Sequence, residues 1–192
     1  MGYGFLDVAV TPSVRAVQAA MGSDHLWRDF EGQREFDRFT ATEVAFIAQC
    51  DTFYMATVSE TGWPYVQHRG GPPGFLKVVD DQTLAFADYR GNRQYLSVGN
   101  LAADDRVSLI LVDYAARKRL KILGHAEAVP LEADPELTAK VVDPDYRDRT
   151  ERILRLRLKA FDRNCPKYIT ARFTETEIEQ ARTQLTTSKG TI

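Results

Sequence analysis

Between residues 53 and 129 the chain carries six short apolar segments separated by connections too short to hold a crossover helix, and this restricts the fold more than any other feature. FYMATV (53–58) passes through the turn-rich Ser59–Gly62 into WPYVQHR, which reads as a first hairpin. GFLKVVD (74–80) and TLAFADY (83–89) flank a polar Asp-Gln turn and read as a second. After a short helical stretch around 93–102, RVSLILVDY (106–114) and RLKILGHAEAV (119–129) form a third. Parallel pairing needs connections of about a dozen residues or more, so the expected arrangement is antiparallel, as in a barrel or sandwich.

The flanks read as helix. Val14, Val17, Ala20 and Met21 fall at helical spacing, and Thr40 with Glu43 forms a T-x-x-E capping box ahead of Val44, Phe46 and Ile47. Beyond 130, DPELTAK predicts a helix starting after Asp134, and Leu154, Leu158 and Phe161 at i, i+4 and i+7 predict another over 150–161. YITARF (168–173) reads as a last strand, and Thr174 with Glu177 opens a final capped helix. The expected fold class is therefore mainly β with flanking helices (α+β), in a single domain over 1–192. Within it, 1–50 is an N-terminal helical extension, 51–130 the strand core, and 131–192 C-terminal helices and a last strand.

Charge excludes several function classes. Twenty-five Lys plus Arg against 27 Asp plus Glu give a formal charge of −2, which supplies no global field for nucleic acid or anionic membranes. Any anion site has to be local. No apolar run approaches the roughly 18 residues of a membrane span, and no basic stretch precedes a long apolar one, so the expected location is cytoplasmic and the expected ligand a small molecule. Cys50 and Cys165 lie far apart outside any CxxC, and His25, His68 and His125 lack ligand spacing, so no disulfide framework or metal site is expected. The G-x-G-x-x-G, P-loop and G-x-S-x-G motifs do not occur where their folds need them.

Three patches could carry chemistry. In QHRGGPPGFLK (67–77), Gly70, Gly71 and Gly74 with two prolines interrupt a strand pattern, and residues without Cβ let main chain approach a flat ligand beside His68 and Arg69. A barrel corner with no ligand is the plain alternative. In DYRGNRQYLSVGN (88–100), Arg90, Asn92, Arg93 and Ser97 gather where a strand enters a helix, and guanidinium forks beside main-chain N–H groups suit a phosphate monoester. An exposed helix with a solvated basic face is the alternative there. In the third, strand alternation places Arg117, Arg119 and Lys121 on one face and Lys118 on the other, so at most one subset can enter a site, and plain surface charge is the reading for at least half of them.

ATVSETGWPY, FADYRGNRQY and RVSLILVDYAARKRLKILGHAEAV, with Gly124 and Ala126, resemble the FMN-binding split-barrel proteins related to pyridoxamine 5'-phosphate oxidase over roughly residues 40–130. HRGGPPGF, GNRQY and NCPKYI (164–169) resemble one bacterial branch. The resemblance implies an antiparallel six-stranded split β-barrel and a homodimer with FMN at the subunit interface. It implies that His68, Arg69, Gly70 and Gly71 lie along the isoalloxazine and ribityl chain, and that Asn92, Arg93 and Ser97 lie near the phosphate. Arg119 falls where the oxidase places a flavin-contacting glutamine, and Lys167 with Tyr168 would complete the site. The expected function is that of an FMN-dependent oxidoreductase; a non-catalytic module binding flavin, deazaflavin or haem is the alternative. His68, Tyr89 and Tyr168 are polar candidates for proton transfer, with no catalytic residue assigned. The oxidase's C-terminal W…R-L-x-x-R motif has no counterpart after Phe173, so vitamin B6 oxidation is not implied.

Overall fold

The structure, a computed structural model, describes residues 4–28, 36–163 and 167–188. Among these residues seven strands form one sheet: β1 Thr52–Val58, β2 Pro64–Gly70, β3 Lys77–Val78, β4 Thr83–Tyr89, β5 Arg106–Asp113, β6 Lys118–Val129 and β7 Thr150–Arg163. Their order is β2-β1-β5-β6-β7-β4-β3, with every neighbouring pair antiparallel. The helices are α1 Gly4–Ala9, α2 Pro12–Ala20, α3 His25–Arg28, α4 Ala41–Gln49, α5 Leu96–Ala103, α6 Pro135–Val141 and α7 Glu175–Ser188, with a 3-10 helix over Pro144–Arg149.

All six expected strands are present, although the third shrinks to Lys77–Val78. Two expectations in the C-terminal third fail. Residues 150–161 belong to β7, not to a helix, and 168–173 hold no strand. Leu154, Leu156, Leu158 and Ala160 are buried in alternation, with Arg157 and Lys159 exposed between them. That period of two is the pleat of a strand, and Leu156 is the residue a helical reading leaves without a place. β7 lies between β6 and β4, so the sheet runs on past residue 130 to Arg163.

The main core fills one face of the sheet. Phe53 and Met55 of β1, Phe86 of β4, Leu109 and Leu111 of β5, Ile122 of β6 and Leu154 of β7 are each at most 1% exposed. Fully burying a side chain of this size contributes about 1.5–3 kcal/mol. The Phe53 ring meets Phe86 edge-on at 5.1 Å and stacks on Phe75 at 5.4 Å. A second cluster lies on the opposite face, where Ala85, Ala87 and Ile153 pack under Leu137 and Val141 of α6. With both faces covered, β4 is apolar almost throughout.

Helix starts follow the sequence. Glu43 accepts from the Thr40 N–H at 2.9 Å in a complete capping box that opens α4, and its other carboxylate oxygen pairs with Arg163 of β7. Asp134 caps α6 through the Leu137 N–H at 3.0 Å, and Thr174 and Glu177 form the expected box before α7. α1 buries Phe5, whereas α2 buries no residue. Among the described residues no helix is long and apolar enough to cross a membrane.

Candidate functional site

Strand alternation on β2 turns Tyr65, Gln67 and Arg69 to one face and Val66, His68 and Gly70 to the other. The first set faces a small cleft of about 50 Å³, walled by Asp88 and Tyr89 at the end of β4, the 91–95 loop, the first residues of α5, and Glu151 of β7. Two fastenings hold α5 across β1 and β2. The Ser97 hydroxyl donates to Gln67 Oε1 at 2.9 Å, and Asn100 Nδ2 donates to Thr57 Oγ1 at 2.9 Å.

The loop into α5 is tightly wound. Arg93 and Tyr95 adopt left-handed conformations, with φ of 62° and 52°, which disfavours residues bearing a Cβ. Asn92 holds the turn, accepting from the Gln94 N–H at 3.1 Å and donating to Gln94 Oε1 at 3.0 Å. Tyr95 gives no side-chain cap, and the first backbone bond runs from the Gly99 N–H to the Tyr95 carbonyl at 2.8 Å. The N–H groups of Leu96, Ser97 and Val98 therefore have no partner within the helix, and these three residues line the cleft.

An ionic chain centred on the buried Asp88 runs alongside the cleft. Arg69 Nη1 donates to Asp88 Oδ1 at 2.7 Å, and Arg152 Nε lies 3.5 Å from Asp88 Oδ2. Arg152 also donates to Glu151 at 2.9 Å, and the Tyr95 hydroxyl donates to the same carboxylate at 3.2 Å. Arg152 stands over the Tyr95 ring at 5.0 Å, and Arg69 over Phe86 at 5.7 Å. Burial pushes the Asp88 carboxyl above the ordinary carboxylate range, with the two guanidiniums pulling the other way.

Of the residues expected in a site, the structure brings Arg69, Asn92, Arg93 and Ser97 together around this cleft. His68 faces away from it, 2.6 Å from Thr52 Oγ1. The Thr52 hydroxyl also lies 3.1 Å from the Arg69 carbonyl. Gly70 ends β2 on the outward face, opposite Thr52. At Gly71 a Cβ would stand 2.7 Å from Phe75 Cγ, so the space this glycine frees is filled by Phe75.

Arg119 and Lys167 do not line this cleft. Arg119 lines a separate pocket of about 380 Å³ between α4 and the start of β6, where its buried Nε has no hydrogen-bond partner. Lys167 is exposed, 5.6 Å from the Tyr168 ring. Cys165 lies outside the described residues.

Sequence reading missed Gln67, Asp88 and Glu151. Alternation back from Arg69 would have found Gln67; Glu151 was hidden by the helical reading of 150–161.

A larger cleft, about 900 Å³, lies on the other side of Val98, between α5, α6 and the outward residues of β6 and β7. Much of its charge is answered internally. Arg155 reaches Glu127 at 2.8 Å and Asp134 at 3.4 Å, and His125 meets Asp105 at 2.9 Å. Among the described residues no group of three potential metal ligands occurs.

Comparison with curated proteins finds no match. Among solved structures, the chain is similar to a putative pyridoxamine 5'-phosphate oxidase from Lactobacillus delbrueckii, at 20% identity over 66% of this chain and 94% of that one, with a TM-score of 0.49. It is also similar to the general stress protein 26 of Bacillus anthracis, at 14% identity over 64% and 91% of the two chains, with a TM-score of 0.49. A third is the haem storage protein HutZ of Vibrio cholerae, at 20% identity over 64% and 92%, with a TM-score of 0.46. The family model described as pyridoxamine 5'-phosphate oxidase matches residues 39–165, about two thirds of the length and the whole of the sheet, and the chain therefore belongs to the pyridoxamine 5'-phosphate oxidase family.

Proposed function

We propose that the chain binds FMN, with the phosphate held in the cleft beside Arg69, Arg93 and Ser97, and acts as an FMN-dependent oxidoreductase on a small substrate other than pyridoxamine 5'-phosphate. The observation that carries this reading is the uncapped start of α5, whose N–H groups have no intrahelical partner and stand beside Arg93 and Arg69. An anionic group suits that donor set in charge and hydrogen bonding. The Ser97 hydroxyl is already spent on Gln67, so the part of Ser97 that fits a phosphate is its main-chain N–H.

A cleft of about 50 Å³ has no room for a three-ring isoalloxazine. The reading therefore includes a homodimer, with the sheet drawn round as a split barrel and the ring held between two chains. The outward face of β1 and β2 supports it, because Tyr54 and Val66 are 39% and 60% exposed, with Trp63 at 75% beside them. Arg119, with its unpartnered Nε in a pocket floored by Phe46 and Leu120, is the residue proposed to reach the ring from such a neighbour.

Bound FMN would supply hydride and single-electron transfer. The protein's part is to fix the phosphate, exclude water and place donors near the ring. A second reading, a flavin-binding module without turnover, gains from one observation: neither histidine nor lysine lines the cleft, and the titratable hydroxyls there belong to Tyr65, Tyr89 and Tyr95.

The test is the visible spectrum of freshly purified protein, with the released chromophore identified by mass. FMN at about one per chain is expected. A Soret band, or a colourless protein that ignores added FMN, overturns the proposal. Reduction by NADH or NADPH followed by reoxidation separates enzyme from binder, and sedimentation as a monomer removes the two-chain site.

A further inference from the structure

Asp88 is a buried carboxylate gripped from two strands. It is 6% exposed, with Arg69 of β2 on one oxygen at 2.7 Å and Arg152 of β7 near the other at 3.5 Å. β2 and β4 are not neighbours in the sheet; four strands separate them in its order, so this contact ties together parts of the sheet that share no ladder. The β4–β7 register shifts at this point. Asp88 faces Arg152, the next residue Tyr89 faces Thr150, and Glu151 is left over at the cleft wall.

We propose that Asp88 is the positioning residue of the cleft: by bridging Arg69 and Arg152 it fixes the Arg69 guanidinium beside the start of α5 and so sets the preference for a phosphorylated ligand over its unphosphorylated counterpart. This rests on the reading of the cleft as a phosphate site. The Nε of Arg69 is buried with no hydrogen-bond partner, so the bond from Nη1 to Asp88 is the one that orients the fork. Without the carboxylate, two guanidiniums would face each other in a poorly solvated site and repel. The other charged groups of this cluster are Glu151, which takes Arg152, and Arg90, whose Nε lies 3.5 Å from Glu151. Two carboxylates thus stand among Arg69, Arg90 and Arg152, with Arg93 at the mouth, and the site keeps the positive excess that a phosphate ester needs.

The experiment measures dissociation constants for FMN, riboflavin and inorganic phosphate on the full chain, as wild type, Asp88→Asn and the double variant Asp88→Asn/Arg152→Gln, with thermal melting alongside. The double variant removes one cation with the carboxylate, so it folds even where the single change leaves two unbridged guanidiniums. A tenfold or greater loss of FMN and phosphate affinity, with riboflavin within twofold and the double variant melting near wild type, is the expected result. Variants that keep the FMN-to-riboflavin preference, or bind FMN more tightly, overturn the role of Asp88. Phosphate bound by wild type and lost in the variants, with no uptake of FMN, upholds Asp88 and removes the flavin reading. Wild type indifferent to both ligands overturns the two together.

Discussion

Gly124 of β6 lies so close to Arg157 of β7 that a Cβ at residue 124 would stand 2.5 Å from the Arg157 carbonyl oxygen. The β6–β7 register shifts between Leu123 and Gly124, where the ladder changes course. The obstructing atom is main chain in a central strand, so it cannot swing aside as a side-chain end could. Gly124→Ala is expected to destabilise the fold by about 1–3 kcal/mol, the range for overpacking a filled site. Urea denaturation checks it; an unchanged midpoint would mean that the two strands separate there at little cost.

Gly71 separates packing from ligand contact in the glycine-rich bend. A Cβ there would come within 2.9 Å of two Phe75 atoms, and Phe75 stacks on Phe53 in the core. The Gly71 N–H donates to the Asp51 carbonyl at 3.0 Å. Gly71→Ala is expected to cost about 1–3 kcal/mol of stability and to leave FMN affinity within twofold at a temperature where the variant is folded. A variant that melts normally yet loses FMN would place this glycine at the ligand.

The bend and the α5 loop show how far the sequence could be read. Gly and Pro marked QHRGGPPGF as a bend without saying what fills it, since Phe75 four residues on is visible only once the chain turns back. GNRQY reads as an anion site by composition, and the structure gathers Asn92, Arg93 and Ser97 at one cleft with Arg69. It could not show that Ser97 would be committed to Gln67, a contact made across 30 residues. In ILRLRLKAF two periods compete: Leu154, Leu158 and Phe161 satisfy a helix, and the L-x-L-x-L alternation satisfies a strand. The open positions between β6 and β4 decide for the strand, and that information is tertiary.

Cys50 is expected to be chemically inert in the folded protein. It caps α4 at its C-terminal end, is 8% exposed, and its Sγ contacts the Phe46 carbonyl at 3.3 Å. Burial first, then the nearby Asp113 and Asp51 carboxylates, push the thiol up to about 12. The neutral form is thus favoured by folding: its stabilisation is complete below the ordinary thiol range near 9 and declines as pH rises toward 12. Iodoacetamide at pH 8 followed by peptide mapping should leave Cys50 unmodified in native protein and label it in urea. Rapid labelling of Cys50 in the native state would show that the end of α4 opens readily.

Arg93 offers the most direct test of the cleft. It is exposed in a left-handed turn, has no salt bridge among the described residues, and stands at the mouth of the cleft beside the first residues of α5. Truncating it removes a charged donor without opening the core, so thermal stability should hold. The positive φ of 62° disfavours alanine and arginine alike, so the strain cancels in the comparison. Losing a charge-assisted bond to a phosphate costs about 1–3 kcal/mol, and Arg93→Ala should weaken FMN binding by that amount while riboflavin binding stays the same. The loss should shrink as salt rises, since the site is open to solvent. Flavin fluorescence quenching at low and high ionic strength measures both effects, and equal FMN affinity in the variant would remove Arg93 from the phosphate site.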